Sequence, residues 1–116
     1  MPSSMVATIF RAVTANEEAD QERFALVPAF RRQVERAIAE QRWHFANHFC
    51  DKILAESPRD LESWLVKGHL AWRFFNDPQT ALSCFRRVVI LGGFDSSNAC
   101  VAQARSSLAQ LLEQLA

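Results

Sequence analysis

Two stretches of this 116-residue chain lie over one another at a nearly constant offset, and that offset limits the folds open to it. Phe30 and Trp64, Val34 and Gly68, and Ala37 and Ala71 are each 34 residues apart. Ala46 and Ala81, Cys50 and Phe85, Ile53 and Val88, and Pro58 and Gly93 are each 35 apart. One residue inserted in the turn between Phe75 and Pro78 accounts for the step. A period in this range marks repeated supersecondary units, none of which buries its apolar face without a neighbour.

The content of each unit is helical. The chain has 3 glycines, 4 prolines and no tyrosine, while Ala, Leu, Arg, Gln and Glu are plentiful, which is the vocabulary of helices. No segment alternates apolar and polar residues for long, so the fold class read here is all-α, with room for one domain. Val6, Ile9, Phe10 and Val13, behind Ser3 and Ser4 as caps, predict a short amphipathic N-terminal helix. The acidic stretch NEEADQER, residues 16–23, follows it. Pro28 disfavours helical geometry at Val27. A helix boundary near 27 is therefore expected, making residues 1–27 an N-terminal helix and connector.

From Pro28 onward, Phe30, Val34, Ala37 and Ile38 mark one face, and after a brief break Ala46, Cys50 and Ile53 mark the next, up to the stop at Pro58. Asp60 opens a further helix with Trp64, Gly68, Ala71 and Phe75 on its core stripe. Asn76, Asp77 and Pro78 break it. Ala81, Phe85, Val88 and Val89 carry the next to Gly92-Gly93. Asp95, Ser96 and Ser97 open the last, along Val101, Ala104, Leu108, Leu111 and Leu115. Two units, 28–59 and 60–93, and a terminal helix over 95–115 result. The terminal helix sets Gln103, Ser106, Ser107, Gln110, Glu113 and Gln114 on its polar side.

A helix, a short turn and a helix repeating at about 34 residues resembles the tetratricopeptide repeat family. Of the family pattern W-x2-L-G-x2-Y, A-x3-F and P, the second unit supplies Trp64, Gly68, Ala81 and Phe85. It departs from the pattern at Lys67, Ala71 and Gly93. The first unit supplies Ala46 and Pro58, with Phe30 for the Trp and Cys50 for the Phe. The resemblance implies a short right-handed solenoid of antiparallel helix pairs, capped by the helix over 95–115. Small residues at Ala46, Gly68 and Ala81 let helices approach closely, while Phe30, Trp64 and Phe85 fill the layers.

Charge and chemistry narrow the function. With 13 basic and 13 acidic residues the formal net charge is zero. The field that draws proteins to nucleic acid or anionic membrane is missing, and the arginines are scattered among acids. No nucleic-acid partner is expected. The N-terminus lacks the charged and apolar regions of a signal peptide, and no stretch reaches the ~20 apolar residues of a membrane span. Cys50, Cys84 and Cys100 form no C-x-x-C pair and read as reduced thiols. A soluble cytoplasmic protein is expected, and the excess of Arg over Lys suits a GC-rich bacterial source.

His44 and His48, four residues apart with Asp51 a turn on, are the nearest approach to a metal site. They lack a compelling third ligand and read as surface residues on the outer side of their helix. Cys50 falls on a core stripe, Gly92-Gly93 lacks the Lys-Ser/Thr of a phosphate loop, and no carboxylate pair is flanked by tuning groups. No catalysis, cofactor or metal is expected.

The helix after Asp60 carries more apolar surface than one face needs. Leu61, Leu65 and Trp72, with His69 between them, form a second stripe about 100° from the first. By the resemblance, this stripe and the adjoining Arg73 face a concave groove, with Arg31, Glu35 and Ile38 as the matching positions of the first unit. Either a partner's segment or the chain's own N-terminal segment occupies it. In family members that clamp a C-terminal carboxylate, Lys and Asn hold these places; Arg31 and Glu35 differ, and Glu35 would repel a carboxylate. The expected function is a non-catalytic protein–protein interaction module, an adaptor or a dedicated chaperone. It would hold an amphipathic helix or an extended peptide anchored by Leu, Ile or Phe. A homodimer through the N-terminal helix is a further expectation. The alternative is a structural subunit of a larger assembly.

Overall fold

A computed structural model describes residues 25–116, and all of its regular secondary structure is helical. Helix α1 covers residues 25–39, α2 Trp43–Glu56, α3 Leu61–Arg73, α4 Pro78–Leu91 and α5 Ala99–Leu115. The predicted N-terminal helix at Val6–Val13, the acidic stretch 16–23 and any dimerisation through them lie outside the described residues. Among the described residues, no helix is long and apolar enough to cross a membrane.

The boundaries follow from local chemistry. Asp60 caps α3 through its carboxylate, which accepts from Ser63 N at 3.0 Å and from Ser63 Oγ at 2.6 Å. Asp77 does the same for α4 at Thr80, and Pro78 stands in its first turn, where a missing N–H costs nothing. Gln41 takes φ +59° in the α1–α2 turn, and Asn76 takes φ +49° between α3 and α4. The α4 stop is built at Gly93, whose φ of +67° is open to glycine without strain.

Two boundaries differ from expectation. Residues 25–27 are already helical and continuous with α1, so Pro28 lies within a described helix and not behind a boundary at 27. The bias against helix before proline is a steric preference, and packing of the half-buried Val27 and Phe30 on the cluster of Val34, Cys50 and Ile53 opposes it. At the other end, Asn98 caps α5 by accepting from Cys100 N and Val101 N. Asp95 holds only the preceding turn, at Ser97.

Each described helix from α2 to α5 packs on the next in sequence, and α3 also touches α5. The central cluster joins α3, α4 and α5 through Leu65, Ala71, Ala81, Phe85, Val88, Val101, Ala104 and Leu111. Two smaller clusters join α1, α2 and α3, one around Val34, Cys50 and Ile53 and the other around Ala37, Ala46 and Leu70. Ala46 and Ala81 are both fully buried, as close helix contacts require. Gly68 lies under the Phe85 ring, and a Cβ there would stand 2.5 Å from Phe85 Cε1. Val34 and Gly68, Ala37 and Ala71, Ala46 and Ala81, Cys50 and Phe85, and Ile53 and Val88 are all buried. Ser107 departs from its expected polar face: it is buried where α5 meets the core.

Candidate functional site

Helix α3 is enclosed on most sides, and this decides which of its residues can meet a ligand. Ser63, Leu65, Gly68, Leu70 and Ala71 are all buried on it. The stripe of Leu61, Leu65, His69 and Trp72 faces α4 and α5. Leu65 is 6% exposed within the central cluster, and Leu61 and Trp72 pack against that cluster. Trp72 donates from Nε1 to Gln114 Oε1 of α5 at 3.1 Å and meets the Phe85 ring edge-on at 6.2 Å. The Arg73 guanidinium covers its other side, 4.8 Å from the ring centroid. His69 lies edge-on to Phe85 at 5.1 Å and within 3.5 Å of Gln103. Burial, then the Arg73 charge, lower the His69 pKa below its usual value.

These placements correct the expected groove set. Leu65 is a core residue. Leu61, His69 and Trp72 are half-buried, Leu61 against the central cluster and His69 and Trp72 beside Gln103 and Gln114 of α5. Arg73 remains exposed at the helix end.

The first-unit residues behave differently. Arg31, Glu35 and Ile38 do line a concavity, and its opposite wall is Glu62, Ser63 and Val66 of α3, with Cys50 and Ile53 of α2 at its floor. Its enclosed volume is about 70 Å³. Small-molecule pockets run to roughly 300–1,000 Å³, so this cleft suits one apolar side chain of a larger ligand. Arg31 is held at its rim by Asp60, with Nη2 to Oδ1 at 2.9 Å, and by Glu62, with Nη1 to Oε2 at 2.9 Å. Burial pushes the Asp60 carboxyl up. The hydrogen bonds from Arg31 and from the Ser63 hydroxyl and amide outweigh this and leave it below the usual carboxylate range. Glu35 and Ile38 are exposed on the same rim. The rim therefore offers a fixed cation, two carboxylates and an aliphatic ledge.

Glu62, Ser63 and Val66 were not in the expected set. The 34-residue register aligns Arg31 with Leu65, but adjacent helices meet along a diagonal, which brings Arg31 to Glu62 instead. The opposite charges of Arg31 and Glu62 were the available signal.

The remaining candidates for chemistry are accounted for by packing. Cys50 is wholly buried, and burial pushes its thiol up to about 12, so it stays protonated at neutral pH. Burial also raises Cys84 and Cys100. His44 is exposed and stacks on Phe75 at 4.8 Å; His48 meets Phe49 edge-on at 5.3 Å. Among the described residues, no group of three or more His, Cys, Asp and Glu side chains is arranged to hold a metal ion. In comparisons with known proteins, no family model, no curated protein and no solved structure matches the chain.

Proposed function

We propose that this chain is a non-catalytic protein–protein interaction module, an adaptor or dedicated chaperone of the cytoplasm. In this reading its helix pairs form a tetratricopeptide-like solenoid, and the cleft between α1 and α3 holds a partner's peptide or helix. The observation that carries the reading is the cleft itself, lined by the apolar Val34, Ile53 and Val66 together with Arg31, Glu35 and Glu62. Such a site grips one aliphatic or aromatic anchor and orders the flanking backbone through polar contacts. The Arg31 guanidinium is already committed to Asp60 and Glu62, which leaves the rim net acidic and favours a basic residue beside the anchor.

A second reading, a structural subunit of a larger assembly, draws on the outer surface of α5. Leu112 is 48% and Leu115 46% exposed there, on the helix against which a further layer would stack.

Selection of displayed random peptides against the full chain tests the first reading. Enriched peptides are expected to share an apolar anchor near Lys or Arg, and to lose at least tenfold in affinity for Ile38→Asp and Glu35→Arg variants that keep the helical spectrum. Peptides whose binding ignores both substitutions would refute the cleft as the site. A chain that stays in solution only when co-expressed with a partner would favour the subunit reading.

A further inference from the structure

A second surface, sharing no residue with the cleft, lies over α4 and the α2–α3 turn. It is a shallow cavity of about 700 Å³ whose walls include Arg59, Arg86 and Arg87, with Leu82, Ser83 and Ile90. All three arginines are exposed, and Ile90 is 62% exposed beside them. None of the three forms an ion pair with a carboxylate among the described residues, which is equally true of Arg32, Lys52, Arg73 and Arg105; what sets these three apart is that they line one cavity. Arg87 is fixed in place by stacking on Trp64, with 4.6 Å from its guanidinium carbon to the ring centroid. Three cations and an aliphatic ledge, in a chain of zero net charge, ask for an acidic amphipathic occupant.

The chain carries one. Between Thr14 and Phe24 stand Glu17, Glu18, Asp20 and Glu22 against the single base Arg23, and Val6, Ile9, Phe10 and Val13 precede them. The segment joins the fold near this surface. Val27 and Phe30 of α1 pack on the cluster of Val34, Cys50 and Ile53, and Arg31 bonds Asp60, so the first half of α1 lies beside the α2–α3 turn that carries Pro58 and Arg59. The far end of α4 is at the same level, since Gly92 lies against Leu61 at the start of α3. Seven residues, from 25 back to Glu18, reach up to about 25 Å.

We propose that the acidic segment 16–23 docks in cis on the Arg59–Arg86–Arg87 surface, with its carboxylates on the guanidinium groups and an apolar residue of the N-terminal segment on Ile90. Docked there, the segment leaves the α1–α3 cleft open to a partner. The proposal goes beyond the interaction-module reading and does not depend on it.

Amide NMR of the full chain tests it, comparing wild type with Glu17→Gln/Glu18→Gln/Asp20→Asn/Glu22→Gln. The expected result is shift changes at Arg59, Ser83, Arg86, Arg87 and Ile90, with none at Glu35, Ile38 or Glu62. The changes should be independent of protein concentration. About 1 M salt, where the screening length is ~3 Å, should reproduce them in the wild type. Arg86→Glu/Arg87→Glu should release the segment, and adding Glu17→Arg/Glu18→Arg to that variant should return it. Shift changes confined to the cleft would place the segment there and overturn the proposal. So would an unchanged spectrum, or changes that fade on dilution, which would mean a second copy supplies the segment. Peptide binding at the cleft is read separately through Ile38→Asp, so either idea can fail alone.

Discussion

Replacing Gly68 with Ala sets two known effects against each other at one atom. Alanine in a helix interior is worth about 0.8–1.0 kcal/mol over glycine, so propensity alone predicts stabilisation. The structure predicts the reverse. A Cβ at Gly68 would lie 2.5, 2.8 and 3.0 Å from three atoms of the Phe85 ring, so the wholly buried ring would have to shift. Overpacking of this kind costs roughly 1–3 kcal/mol. After the propensity gain, a net loss of up to about 2 kcal/mol remains, a fall in Tm of up to about 10 °C for a fold this size. Thermal and urea melts followed by circular dichroism measure it. Phe85→Leu in the same background supplies the control, because a smaller side chain makes room and the double variant should lose less than the two single losses together. A rise in Tm for Gly68→Ala, or strict additivity with Phe85→Leu, would refute the close α3–α4 contact on which the repeat register rests.

Ala46→Leu and Ala81→Leu, each made at a fully buried helix crossing, should each cost about 1–3 kcal/mol in urea melts, and unchanged melting in both would break the correspondence between the two helix pairs. Trp64→Ala and Trp72→Ala should both destabilise, by about 2–4 kcal/mol each, because both rings are half-buried against the central cluster; a Trp72→Ala chain as stable as wild type would mean α5 does not seat there. His69, whose folded pKa is lowered, takes up a proton more readily when unfolded, so its contribution is fully present above the unfolded value of about 6.5 and falls away as pH drops through the folded value. His69→Gln should flatten the pH dependence of Tm below about pH 7, and an unchanged profile would contradict the burial described.

Asp60 at the start of α3, the break at Asn76-Asp77-Pro78, the burial of Ala46 and Ala81 and Cys50 in the core were legible because each depends on local spacing or on the period. The second stripe of α3 was legible as apolar, since angular position on a helix follows from numbering alone. What covers it was not. Whether Leu65 and Trp72 line an open groove or seat another helix depends on where α5 lies, and that is set by the α4–α5 loop around Gly93, Phe94 and Asn98. Phe94 takes φ +59° there, which no pattern in the sequence announces. Glu62 escaped notice for a related reason, because the repeat register describes equivalence and not contact. At Pro28 a local steric rule gave way to tertiary packing of the half-buried Val27 and Phe30.

The most direct test of the central claim, that the α1–α3 cleft is a peptide-binding site, is an amide NMR titration of the full chain with a selected peptide carrying an apolar anchor beside Lys or Arg. Saturable shift changes are predicted at Arg31, Glu35, Ile38, Glu62 and Val66, absent in Ile38→Asp, while Leu65 and Trp72 keep their positions under α5. Changes centred instead on Leu61, Leu65 and Trp72, with α5 displaced, or no saturable change in any residue of the cleft, would contradict the account.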